Sequence, residues 1–86
     1  MPTVSLFYGI KITFNYNDHI PPHFHAEYGG YSAMIDILSC RVIKSVLPKR
    51  QLKLVLAWAE LHKDDLMQNW ELARNGESLV TIAPLK

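Results

Sequence analysis

Polar and apolar residues alternate one by one through "GIKITFNY". Ile10, Ile12, Phe14 and Tyr16 fall on one side, Lys11, Thr13 and Asn15 on the other. That period of two predicts a half-buried strand. "NDHIPP" ends it, because neither Pro21 nor Pro22 can donate to a ladder. "HFHAEY" alternates again, with Phe24, Ala26 and Tyr28 on one face and His23, His25 and Glu27 on the other. Gly29-Gly30 then supplies two residues free to take positive φ, a tight-hairpin signal. "YSAMIDI" carries the alternation onward. A two-residue loop sets the register by counting: Tyr28 against Tyr31, Ala26 against Ala33 and Phe24 against Ile35. On the other face Glu27 meets Ser32, His25 meets Met34 and His23 meets Asp36. A slip of one residue would mix the two faces.

"CRVIKSVL" is β-rich and predicts a further strand after a turn near Ser39. From Pro48 the period lengthens. Leu52, Val55, Leu56, Ala59, Leu66, Trp70 and Ala73 recur at helical spacing, and Leu54, Trp58, Leu61 and Leu72 form a neighbouring stripe. Pro48 suits a helix start and Asn75-Gly76 a stop. A single helix of roughly 27 residues is long for a small domain, so a break around Lys63-Asp64, with Asp64 as cap, is the alternative. "SLVTIAPL" predicts a short extended tail. The fold class that follows is α+β: an antiparallel sheet of three to four strands, with a long C-terminal helix or two consecutive helices packed on its apolar face. The other face is left wet. It would carry Lys11, Thr13, Asn15, His23, His25, Glu27, Ser32 and Asp36.

Eighty-six residues make one domain, 1–86, whose modest core would gain from homodimerisation. Net charge is +1, from nine basic and eight acidic residues, so a nucleic-acid contact must come from a local cluster. The single Cys40 has no partner for an internal disulfide. "MPTVSLFYG" lacks the layout of a secretory signal, and no apolar run approaches the ~20 residues of a membrane span. A cytoplasmic protein without membrane contact is expected.

"MPTVSLFYGIKI", "NDHIPPHFHAEYGGY", "MIDI", "LPKRQLKLVLAWAELH" and "NWELARNGESL" together resemble the small bacterial family catalogued as domain of unknown function 4160. The resemblance covers nearly the whole chain. It implies a partner in a two-gene, toxin–antitoxin-like module, with a small protein encoded nearby, and it assigns no functional residue. "LSC" stands where members often have a glycine-containing turn.

His23 and His25 lie two apart on a strand, hence ~6.6 Å apart on one face. Two imidazoles so placed can share a metal ion, with Glu27 or the cross-strand Asp36 as a third ligand; Zn²⁺ and Fe²⁺ suit that set. With Pro21-Pro22 extended, His19 is carried ~12 Å away. Without metal, an Asp36 carboxylate beside His23 would orient the ring for acid–base work or a phosphate contact, making His23, His25 and Asp36 the catalytic candidates. No nucleophile accompanies them: Ser32 faces Glu27 and Cys40 falls in a turn. The bland alternative is that the alternation merely demands polar residues here. His62 reads as a helix-boundary residue.

"PKRQLK" is a second place of interest. Lys49, Arg50 and Lys53 occupy the first turns of the helix, where the macrodipole already favours anions, and no acid offsets them before Glu60. Solvated lysines account for this equally well as an anion site for a phosphate or a partner's carboxylate. Trp58 and Trp70 read as core. Tyr28 and Tyr31 read as core or core-edge, with base stacking the minor alternative. Three functions follow in order: a binding or effector subunit working with a partner protein, its target RNA through His23, His25 and Arg50 if it is the toxic half; a metal-dependent enzyme built on His23, His25 and Glu27 or Asp36; and an inert interaction domain.

Overall fold

Five strands precede two helices in the computed structural model, which describes residues 2–86. Strands β1 (Thr3–Phe7), β2 (Ile10–Thr13), β3 (His23–Tyr28), β4 (Tyr31–Asp36) and β5 (Val42–Ser45) form one antiparallel meander in chain order. Helices α1 (Lys49–Leu61) and α2 (Lys63–Arg74) follow. Trp58 of α1 packs on Phe7 and Phe24, and the core it joins includes Ile10, Ile12, Ile35, Val55 and Leu66. No helix among the described residues is long and apolar enough to cross a membrane.

The β3–β4 pairing is the one counted from the glycine pair, from Tyr28 opposite Tyr31 to His23 opposite Asp36. Of the two glycines only Gly29 has positive φ (58°), the sign pattern of a type II′ turn. The α+β class holds, with one strand more than expected. β1 escapes the alternation rule because a bulge between Thr3 and Ser5 buries Val4 and Ser5 consecutively. Its hairpin turns on Tyr8-Gly9, both at positive φ, and tyrosine is a poor advertisement for that conformation. β2 stops at Thr13, so Tyr16 lies beyond the strand and is exposed instead of joining Ile12 in the core. Tyr31 is also half in water, at 52% exposure, because it stands at the hairpin's tip.

The helical stretch does break. A straight helix over 49–74 would run about 39 Å, more than the molecule's longest extent of 33 Å. His62, with φ −122° and ψ 27°, makes the corner; Asp64 is not the cap but lies with Asp65 in the first turn of α2, where acids suit the macrodipole. A Schellman closure ends α2, Glu77 N–H donating to the Leu72 carbonyl and Gly76 N–H to that of Ala73, with Gly76 at φ 70°. Beyond it the tail is not a strand. The buried Asn69 side chain both donates to and accepts from the Val80 backbone, at 2.8 Å each. Trp58 donates to the Ala83 carbonyl, and Ile82 N–H reaches Val4.

Candidate metal centre

The loop between β2 and β3 decides the site. Asn17 takes a left-handed conformation (φ 57°), which asparagine tolerates better than most residues. Its N–H donates to the Ala73 carbonyl at 3.4 Å, tying the loop to α2. The chain therefore turns back, and Asp18 arrives over the start of β3. Its Oδ1 accepts the His19 N–H at 2.8 Å, which orients the carboxylate. Oδ2 then lies 2.9 Å from His23 Nε2 and 3.4 Å from His25 Nε2. Asn15 Nδ2 borders both, 3.4 Å from that oxygen and 3.3 Å from His25 Nε2.

His23 is the anchored member, only 5% exposed. Its Nδ1–H donates to the Pro21 carbonyl at 2.8 Å, and its ring lies 5.2 Å from that of Trp70 on α2. A carbonyl accepts only, so Nδ1 carries a proton and Nε2 is the atom turned to the cluster. In a neutral ring Nε2 then presents its lone pair. The His25 ring meets that of His23 edge-on at 5.1 Å. Beside His25 on β2 stands Thr13, 1% exposed, whose Oγ1 has no hydrogen-bond partner among the described residues.

Burial alone would push the Asp18 carboxyl up, but the His19 N–H, the two imidazoles and the charge on His23 outweigh it and hold the group below the ordinary carboxylate value. With both rings unprotonated at Nε2, three atoms with lone pairs, two nitrogens and one oxygen, lie within 4.8 Å of one another. Such a set repels itself unless protons or a cation sit among the atoms. Ligands at the usual ~2.1 Å from Zn²⁺ or Fe²⁺ would stand roughly 3.0–3.4 Å apart, for octahedral and tetrahedral angles. The two distances to Asp18, 2.9 and 3.4 Å, lie close to its two ends.

His23 and His25 are therefore brought together, but the acid that joins them is Asp18. Asp36 sits opposite His23 in register, yet its Oδ1 accepts the Ser39 N–H at 3.0 Å, capping the turn into β5. Glu27, one pleat along from His25, lies between Lys11 and Ser32 and is not part of the cluster. His19 is exposed and points no ligand into it. Lys49, Arg50 and Lys53 are exposed on the first turns of α1, which has no side-chain cap, and none of them enters the cluster. Asp18 was missed because residue counting works along strands, and this residue arrives through a bend. "NDH", with its asparagine fit for positive φ, was the available signal.

No curated protein and no solved structure matches the chain. The family model described as "Domain of unknown function (DUF4160)" matches residues 9–71, a segment that contains Asn15, Asp18, His23, His25 and Trp70. With most of its length so matched, including every residue of the cluster, the chain belongs to the DUF4160 family.

Proposed function

We propose that the protein is a small metal-dependent enzyme that holds one divalent ion, Zn²⁺ or Fe²⁺, on Asp18 Oδ2, His23 Nε2 and His25 Nε2. The convergence of these three atoms carries the reading. The Nδ1–H bond from His23 to a backbone carbonyl supports it, since ligating histidines are commonly oriented this way. Two histidines and one carboxylate leave coordination positions open, which is what a site needs to polarise a substrate or activate water. A merely structural role for His23 would account for the Trp70 contact and the Asp18 pair, but not for the second imidazole beside them.

The test uses tag-free protein stripped with chelator and titrated calorimetrically with Zn²⁺ and with Fe²⁺ under anaerobic conditions. One equivalent of either metal, with a rise in melting temperature, is the expected result. No heat and no thermal shift with both metals would remove the reading.

The family resemblance supports placing such an enzyme in an effector that works with a small partner protein, with RNA as the target class. One observation favours a protein partner: β5 is an edge strand with Val42 and Ile43 both exposed, whereas the β1 edge is partly covered by the tail at Val4. Co-purification with the product of the neighbouring gene, lost in Ile43→Lys, tests that role.

A further inference from the structure

The outer face of the sheet holds a cavity of about 190 Å³, lined by His25, Ser32, Ala33, Met34, Lys44 and Val46. His25 belongs to this cavity and to the metal cluster, so the two adjoin. Thr13, His25, Met34 and Lys44 form one row across β2 to β5. At about 4.8 Å per strand, the Lys44 backbone lies about 10 Å from that of His25, with Met34 between them. Among the described residues no carboxylate lies within ion-pair distance of Lys44. Glu27, on the same face, stands opposite Lys11 rather than Lys44.

We infer that this groove receives the anionic end of the substrate, a phosphate or carboxylate, with Lys44 as its counter-charge and the reacting bond toward His25. The inference rests on the metal-dependent reading for its chemistry, though not for the binding itself. Met34 and Val46 give the groove apolar walls, and Lys44, the one free cation lining it among the described residues, stands across from the ligand cluster. Apolar walls with few polar groups are the usual make-up of a small-ligand site. The volume lies below the roughly 300–1,000 Å³ of drug-sized pockets, so one small charged end fits and a base or sugar would lie outside.

The experiment follows backbone amide shifts of metal-free protein during titration with inorganic phosphate and, separately, acetate. Shifts centred on His25, Met34, Lys44 and Val46 are expected. Lys44→Gln should weaken that binding about tenfold, the loss of one charge-assisted hydrogen bond, and Lys44→Arg should restore it. Preference for phosphate or for acetate names the anion. Shifts centred on Lys49, Arg50 and Lys53 instead, or equal affinity in Lys44→Gln, would overturn the inference. Metal affinity measured without either anion reads the metal centre alone, so loss of one result does not obscure the other.

Discussion

Two histidines in this molecule have nearly the same neighbours and different fates. His23 lies 5.2 Å from Trp70 and 2.9 Å from Asp18; His62 lies 5.3 Å from Trp58 and 3.6 Å from Asp65. Each is thus an imidazole between an indole and a carboxylate. The difference is what surrounds the pair. His23 and Asp18 have side chains 5% and 18% exposed, a second imidazole beside them, and backbone groups that orient both. His62 and Asp65 are 20% and 59% exposed, three residues apart on a helix start, and among the described residues join no third ligand. A histidine beside an acid is common and inexpensive to make. Fixing the ring nitrogen, the acid oxygen and a third donor by separate backbone contacts is what turns the pair into a site.

The comparison breaks most visibly at the rings themselves. His23→Ala removes a buried ring from between β3 and α2 and should cost about 2–4 kcal/mol in chemical denaturation, along with metal binding. His62→Ala at the corner should cost about 1 kcal/mol or less and leave metal affinity alone. Equal losses would mean that burial is not what separates the two positions. The acids come next. Asp18→Ala takes away a ligand and leaves His23 Nε2 without a partner, so metal affinity should fall at least about a hundredfold and stability by about 1–3 kcal/mol. Asp65→Ala, its ion pair largely in water, should change stability by about 0.5 kcal/mol at most. Calorimetric titration of the two variants side by side reads the contrast directly.

How much of this could be read beforehand follows from the range of the interactions. The β3–β4 hairpin was legible because a two-residue turn and a period of two leave one register, and every pair in it was countable. His23 and His25 came with it. Asp18 did not, since its place depends on Asn17 bending the loop and on Ala73, fifty-six residues later, holding it. The β1 strand hid behind its bulge for a similar reason: two buried residues in succession imitate no period. Cys40, in the turn where the family often has glycine, sits at φ 57°, so the oddity of "LSC" marks a real conformational demand. The role of Asn69 was illegible from pattern alone, because a buried amide on an apolar helix face is explained only by the tail it clamps.

The smallest effect concerns acid. In metal-free protein the Asp18 carboxyl is held below its ordinary value of 3.8, burial opposing this and the bonds from His19, His25 and His23 prevailing. A carboxyl lowered on folding stabilises the native state above its unfolded value, and that contribution is lost as pH falls through the folded value. Asp18 should therefore contribute fully near pH 5 and fade below about pH 4. Asp18→Asn removes the titration, so the stability difference from wild type should shrink as pH is lowered from about 5 to 3. A difference between Asp18→Asn and wild type that stays constant with pH would show that the carboxylate's charge contributes nothing to folding. The cluster would then be held by the hydrogen bonds to backbone and by the Trp70 contact alone.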